Sequence, residues 1–152
     1  MSNAHEIVRT VQLKAPVAKV WAALSQAKPF GEWFRCTVDG EFAVGAIVHC
    51  RSLYEGHEEM HWQKRIVAIE PERYFAFEWS PGDTGADLRD DSVNTTLVEF
   101  TLAAIPSGTE LVIRESGFEQ FSAAEIRRAM RLNSDGWDAQ VSNIRGFIHG
   151  GR

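Results

Sequence analysis

The sequence predicts an α+β fold, in which a curved antiparallel sheet of six to seven strands wraps around one long C-terminal helix and two short helices follow the first strand. Two observations predict it. Apolar and polar residues alternate in successive short segments between Arg35 and Gly117, and an apolar stripe at helical spacing extends from about Ser122 to His149. With 152 residues, the chain suits one domain, which we place at residues 5–152.

The first strand and the two short helices are predicted from residues 7–34. Apolar and polar residues largely alternate from Ile7 to Leu13, which is the period of a half-buried strand. Ala15-Pro16 breaks this pattern, and apolar residues then follow at helical spacing: Val17, Val20, Trp21 and Leu24. The segment from Lys28 to Gly31 is expected to restart the chain, and Glu32-Trp33-Phe34 to form a further turn of helix.

Six more strands are predicted to form an antiparallel meander, near residues 35–41, 46–54, 59–70, 73–79, 96–103 and 109–116. Turn-forming residues separate them, as in Asp39-Gly40 and in the segment from Ile105 to Thr109. Residues 80–95 contain two Gly, one Pro and four Asp, so we predict a mobile loop there.

The long C-terminal helix is predicted from apolar residues that recur at steps of three, four or seven: Ile126, Met130, Trp137, Val141, Ile144 and Ile148. Ser122 and Glu125 form a capping-box pattern, and Gly150-Gly151 ends the helix. Gly136 inside it costs about 1 kcal/mol relative to Ala, so either the helix bends there or another backbone lies close. The helix and the sheet must bury their apolar faces against each other. If the shapes of the two faces match imperfectly, a cavity remains between them.

Composition excludes several classes of protein. A hydrophobic fraction of 44% and a charged fraction of 24% are typical of a soluble globular protein. The net charge of −5, without a basic run, argues against a nucleic-acid partner. Cys36 and Cys50 match neither a disulfide scaffold nor a zinc motif, so we expect free thiols. With no signal sequence and no apolar run near the ~20 residues of a membrane helix, we expect a cytoplasmic protein with no membrane partner.

Short segments along nearly the whole chain occur in a specific order, although each is weak alone: Ala15-Pro16 with Val20 to Leu24, Trp33-Phe34, Val67 to Pro71 through Phe77-Glu78-Trp79, Thr96 to Phe100, Gly108 to Leu111, Ser116-Gly117-Phe118 and Gly136-Trp137. In this order the segments resemble sequences of the SRPBCC superfamily (START-like, helix-grip). Within it, the chain resembles the branch of homologues of the activator of the heat-shock-protein-90 ATPase. The resemblance implies a helix-grip fold around an apolar pocket. Its members bind small hydrophobic molecules, act as polyketide cyclases or resemble co-chaperones.

The sequence departs from this branch at Glu115, because the strand before Ser116-Gly117-Phe118 usually ends there in His. Any role specific to that His is therefore in doubt. The eukaryotic co-chaperone also carries a separate N-terminal domain that does much of the partner binding, and 152 residues leave no room for it. Chaperone activation is thus poorly favoured.

The segment from His57 to His61 fits the His-Glu-x-x-His pattern of zinc metalloproteases. That chemistry needs a helix, since only helical spacing places both imidazoles within reach of one metal. The flanking residues favour a strand, in which the two histidines lie roughly 13 Å apart. We therefore predict an exposed polar stretch and no metal site.

Residues Gly82 to Gly85 read Gly-Asp-Thr-Gly, which resembles the loop signature of aspartic proteases. The chain lacks the paired lobes that this chemistry requires, so we interpret the segment as a turn. Neither the cysteines nor any serine lies in a recognisable nucleophile motif. No catalytic residue and no cofactor is predicted.

Aromatic residues are candidates for the core or for a binding site. Trp21, Phe75 and Phe100 are expected to fill the core. Four others are placed by the resemblance around the pocket and its mouth, where each could line a cavity or belong to solid core: Trp33, Phe34, Trp79 and Trp137. Trp62 is a further candidate for the lining of the cavity.

Glu115 alternates with Leu111 and Ile113, so its side chain is expected on the same face as theirs. If that face is concave, the carboxylate could act as an acid, a base or a hydrogen-bond acceptor for a ligand. The alternative is that it pairs with an Arg or reaches solvent. Three further residues, whose faces the sequence leaves open, could line the cavity: His49, Arg51 and His61.

The leading hypothesis is a binding module that encloses a small hydrophobic or aromatic molecule between sheet and C-terminal helix. The ligand-binding residues we predict are Trp33, Phe34, Trp79, Glu115, Trp137 and Val141. One alternative is a polyketide cyclase-like or hydrolase-like enzyme that uses the same pocket, although an enzyme is less favoured. The other is a co-chaperone-like protein-interaction module. An edge strand could pair two chains into a homodimer, but nothing in the sequence demands it.

Overall fold

The computed structural model describes residues 5–81 and 85–150, in which seven antiparallel strands form one sheet in the order β1-β7-β6-β5-β4-β3-β2. The strands are β1 Ile7–Leu13, β2 Cys36–Asp39, β3 Ile47–Ser52, β4 His61–Glu70, β5 Tyr74–Trp79, β6 Thr96–Ile105 and β7 Gly108–Ser116. The helices are α1 Val17–Ser25, α2 Ala27–Phe34 and α3 Ala123–Gly150, with a 3₁₀ turn at Phe118–Gln120. The α+β helix-grip fold predicted from the sequence is confirmed, and no boundary from β2 to β7 differs by more than two residues.

Helix α2 is longer than predicted, because it begins at Ala27 and includes the segment in which we expected a break. Pro29 lies in its first turn, where a backbone N–H has no acceptor within the helix and its absence costs little. The helix ends at Phe34, and the capping residue Arg35 adopts a left-handed conformation with φ 63° and donates its N–H to the Gly31 carbonyl. A Cβ on Gly31 would lie 2.6 Å from the Cys36 carbonyl oxygen, so α2 packs directly on the start of β2.

Helix α3 spans 28 residues and begins with the predicted capping box. The Ser122 N–H donates to Glu125 Oε1 and the Glu125 N–H donates to Ser122 Oγ, each at 3.3 Å. Of the two alternatives stated for Gly136, the close approach of another backbone is wrong, since a Cβ there would meet no atom within 4 Å. Among the residues that the structure describes, no helix is both long enough and apolar enough to cross a membrane.

The segment that we predicted as a mobile loop is partly packed against the outer face of the sheet. Leu88 is buried, its N–H donates to Gln63 Oε1 at 2.8 Å, and Arg65 donates to its carbonyl. Leu88 therefore joins this segment to β4. Residues 82–84, and with them most of the Gly-Asp-Thr-Gly segment, lie outside the described residues.

The core lies between the concave face of the sheet and the three helices, and aromatic rings dominate it. Phe75 and Phe100 stack on neighbouring strands with ring centroids 6.2 Å apart and planes at 4°. Trp21 meets Phe75 edge to face at 6.3 Å. Phe75 and Phe100 belong to the buried core, as predicted, whereas Trp21 is half-buried and packs against it.

Lys64 is a charged residue inside this core. Its side chain is wholly buried, with Nζ 3.4 Å from the ring centroid of Phe30 and within 5 Å of those of Phe42 and Phe77. Among the described residues Nζ has no hydrogen-bond partner. Burial lowers the pKa of Lys64 from 10.5 to about 8. Cation–π contact offsets only part of the cost of burying this ammonium group.

The thiols of Cys36 and Cys50 lie near Lys64 on β2 and β3, and both are free and buried, as expected. Their mutual hydrogen bond lowers the pKa of Cys50 and raises that of Cys36. The positive charge of Lys64 also lowers the pKa of Cys50. This end of the core therefore contains three polar groups that interact with one another rather than with water.

We expect Lys64→Met to stabilise the protein at pH 7. The folded state has the lower pKa, so the unfolded state binds more protons between pH 8 and 10.5, and stability rises with pH over that window. At about 1.4 kcal/mol per pKa unit, the destabilisation below pH 8 is up to about 3 kcal/mol. Urea denaturation from pH 6 to 10 should show a more stable variant at neutral pH and a flatter pH dependence. Lys28→Met, at an exposed position, is the control, and a less stable Lys64 variant with the wild-type pH dependence would contradict the expectation.

Candidate functional site

A pocket of about 290 Å³ lies where the middle of α3 crosses the sheet. Strand β4 begins beside the end of its antiparallel neighbour β5, and α2 ends against both, so three elements supply side chains to one place. The pocket is lined by Phe34, Met60, Trp62, Trp79, Ser80, Pro81, Leu132, Asn133, Gly136, Trp137 and Gln140. Most of these are apolar, so the pocket suits an apolar ligand.

Four aromatic rings form the inner wall of the pocket. Phe34 lies at the centre, with its ring centroid 6.2 Å from those of Trp62, Trp79 and Trp137. The two indoles of Trp79 and Trp137 are 5.9 Å apart. On the opposite side Gly136 contributes no side chain, which leaves the space between these rings and α3 open.

Glu115 lies behind the two indoles and is fully buried on β7. Trp137 Nε1 donates to Oε1 at 2.8 Å, and Trp79 Nε1 and the Thr96 hydroxyl donate to Oε2 at 2.8 and 2.5 Å. Asn133 Nδ2 donates to both oxygens, at 3.0 and 2.9 Å. Four neutral donors thus satisfy a carboxylate that burial alone would destabilise strongly.

These contacts decide between the alternatives for Glu115. Its side chain shares the buried face of Leu111 and Ile113, as the alternation predicts. The alternative of an arginine partner or of solvent contact is wrong, because indole, amide and hydroxyl groups occupy both oxygens. Glu115 does not line the pocket itself. It orients Trp79 and Trp137, which do.

The other predicted site residues divide into two groups. Phe34, Trp79 and Trp137 line the pocket. Trp33 does not: its indole N–H donates to the Ala23 carbonyl at 2.8 Å and its ring packs on Phe30, 5.0 Å away. Val141 packs against the core and is also outside the pocket lining.

Two polar pocket residues on α3 were not predicted from the sequence. Asn133 and Gln140 flank Trp137 at spacings of four and three residues, so all three occupy one side of α3. Gln140 is buried and donates to the Phe34 carbonyl at 3.0 Å, which joins α3 to the end of α2. Both amides lie within the stretch of α3 that was predicted to be buried, and polar side chains in such a stretch indicate a possible site.

None of His49, His57 and His61 lines the pocket. His57 is in a turn and His61 begins β4, so the helix that a zinc-protease motif requires is absent here. His49 Nε2 and His61 Nδ1 are 3.1 Å apart on the outer face of the sheet, which Arg51 shares. Within residues 5–81 and 85–150, no three His, Cys, Asp or Glu side chains gather closely enough to hold a metal ion.

We expect Glu115→Gln to destabilise the protein by about 2–3 kcal/mol, because an amide N–H₂ would face a buried donor and leave it without an acceptor. Urea denaturation measures the loss, and near-ultraviolet circular dichroism should show altered packing of Trp79 and Trp137. Glu72→Gln makes the same chemical change at an exposed turn residue. If the two variants unfold at the same urea concentration, the hydrogen-bond network does not stabilise this site.

Several solved structures share the fold of this chain. Protein MLL2253 from Mesorhizobium loti matches with a TM-score of 0.76 and 23% identity, over 97% of this chain and 98% of that chain. The Aha1 dimer from Colwellia psychrerythraea matches with a TM-score of 0.71 and 15% identity, over 94% and 95% of the two chains. DynU16, from the dynemicin biosynthetic locus, matches with a TM-score of 0.76 and 19% identity, over 99% of this chain and 49% of that chain. This chain thus spans about half of DynU16.

At these identities the structural matches establish the fold alone. A search of the curated proteins found no match. A family model described as "Activator of Hsp90 ATPase homolog 1-like protein" matches residues 14–148, almost the whole chain. The resemblance stated from the sequence is therefore confirmed, and the chain belongs to the family of Activator of Hsp90 ATPase homolog 1-like proteins.

Proposed function

We propose that this protein binds a small hydrophobic or aromatic molecule in the pocket between the sheet and α3. The observation that carries the proposal is an apolar space of about 290 Å³ next to four aromatic rings. A cavity of about 150 Å³ accepts benzene, so this one suits a molecule of one or two rings. Burial of the ligand's apolar surface supplies affinity at about 25 cal/mol per Å².

The wall of the pocket is held in place before a ligand arrives. Glu115 anchors the indoles of Trp79 and Trp137, and Gln140 anchors the backbone at Phe34. Side chains that are already ordered lose little entropy on binding, so more of the hydrophobic free energy contributes to affinity.

Asn133 gives the pocket a means of selecting its ligand. Its Nδ2 group donates to Glu115, which orients the amide and leaves Oδ1 as an acceptor at the pocket wall. A ligand with an N–H or O–H group beside its ring would satisfy this oxygen. Indoles and phenols carry such a group, and we propose them as the chemical class to test first.

Binding is better supported than turnover. The described residues that line the pocket include no His, Cys, Lys, Asp or Glu. Both oxygens of Glu115 accept hydrogen bonds and lie behind the indoles, out of position to move a ligand's proton. The cyclase-like or hydrolase-like enzyme and the co-chaperone-like module remain the alternatives to this proposal.

Two further expectations belong with the proposal. We place the protein in the cytoplasm. A homodimer stays a prediction: β1 and β2 are the edges of the sheet, where a second copy could pair, and the similar chain from Colwellia psychrerythraea was solved as a dimer. Sedimentation equilibrium of the purified protein decides between one chain and two.

We expect Gly136→Leu to fill the pocket and weaken the binding of 2-naphthol by at least about tenfold, because the new side chain enters space that is open in the structure. The same change should stabilise α3 by about 1 kcal/mol, since glycine is a poor helix former. Isothermal titration calorimetry measures the first effect and thermal unfolding the second.

Gly146→Leu is the matched control. Gly146 lies on the same helix, has no atom within 4 Å of its Cβ position, and is outside the pocket lining. It should produce a similar gain in stability with unchanged binding. Equal loss of binding in the two variants, or wild-type binding by Gly136→Leu, would place the ligand elsewhere.

A further inference from the structure

We propose that the natural ligand is an amphipathic anion, whose ring occupies the pocket and whose carboxylate or similar oxyanion lies against Arg128 and Arg131 on α3. This inference rests on the proposed binding function and names the chemical class of the ligand. It is carried by a group of arginines directly beside the mouth of the pocket.

The arginines border a second depression of about 380 Å³ along the first half of α3, lined by Ala124, Arg127, Arg128, Arg131 and Leu132. Leu132 also lines the pocket, and it is 51% exposed. The two spaces therefore meet at this side chain. A ligand that projected from the pocket past Leu132 would reach the guanidinium groups.

These guanidinium groups have no partner within the described part of the chain. Arg127, Arg128 and Arg131 are exposed and none of them makes an ion pair or a hydrogen bond there, even with Asp135 one turn further along. Two other acidic residues of α3 are engaged elsewhere. Glu125 accepts from the Ser122 hydroxyl at 2.8 Å, and Asp138 pairs with Arg9 on β1 at 2.7 Å.

Charge complementarity selects an anion. The chain as a whole carries a net charge of −5, yet three arginines that make no ion pair within the described residues lie together at the mouth of its apolar pocket. Such a local positive field raises the concentration of anions near it. The planar fork of arginine matches the two oxygens of a carboxylate, which adds orientation to attraction.

Helix geometry sets the size of the ligand. Arg128, Leu132 and Gly136 follow one another at steps of four residues, so they lie along one side of α3. At 1.5 Å per residue, Arg128 and Gly136 are about 12 Å apart along the helix axis. A ring joined to its carboxylate by a short flexible chain spans this distance once the arginine side chain reaches toward it.

The test compares two probes of the same size and shape, 4-(2-naphthyl)butanoate and its primary amide, of which only the first is charged. Calorimetric titration of the intact chain should show tighter binding of the carboxylate. In Arg128→Gln/Arg131→Gln its affinity should fall about tenfold, while that of the amide changes less than about twofold. Arg145→Gln removes a positive charge from an exposed position near the other end of α3 and should leave both affinities unchanged.

The outcomes separate this inference from the function on which it rests. If neither probe binds to the wild-type protein, the pocket is not a binding site for such rings and both proposals fail. If the two probes bind equally well, or if Arg145→Gln weakens the carboxylate as much as the double variant does, the pocket binds rings but the arginines do not recognise the anion. A carboxylate preference that disappears only in the double variant supports the inference.

Discussion

The buried carboxylate of Glu115 imposes the strongest constraint on this molecule. A charge with no contact to solvent needs polar partners on every side, and its four donors come from β5, β6 and two successive turns of α3. Satisfying one side chain therefore fixes how the long helix crosses the sheet. It also fixes the rotation of two indoles, and their ring faces then border the pocket. The polar network positions the apolar binding surface.

Lys64 shows the opposite outcome for a buried charge in the same core. Its ammonium group meets the faces of phenylalanine rings and has no hydrogen-bond partner among the described residues, whereas every donor around Glu115 is aimed at an oxygen. The contrast indicates different roles. The Glu115 network joins elements and organises a site. Burial lowers the pKa of Lys64, so we expect it to weaken the fold at neutral pH, and it lies outside the pocket lining.

Much of the fold could be predicted from the sequence, because the patterns that specify its strands and helices lie within short segments of the chain. Alternation located the strands from β2 to β7, and the Ser122 and Glu125 pair located the start of α3. The start of α2 was missed because Pro29 breaks helices in general but not in their first turn. The face of Glu115 was predictable from its neighbours on β7. Its partners were not, because they come from three other elements that only the tertiary fold brings together.

The binding site was harder to predict for a related reason. Trp33 and Phe34 are adjacent, and neighbouring residues on a helix point about 100° apart, so only one of them faces the pocket. Composition and resemblance cannot tell which. Gly136 illustrates the same limit: a glycine in a helix is compatible with a bend, with a close neighbour or with open space, and the structure shows open space.

The two halves of α3 serve different purposes, and this division explains why its exposed side chains lie near a pocket. Toward the C-terminus the helix buries Ile144 and Ile148 against the core, and His149 accepts the N–H of Lys14 at 2.9 Å. Before Trp137 only Ala129 is buried on it among the described residues. In the first half Ile126 and Met130 are only half-buried against the core, and the exposed side chains between them are available to border a ligand. A helix that is anchored from its middle to its C-terminus can supply both a rigid wall and a charged rim, because the exposed side chains of its first turns are not constrained by packing.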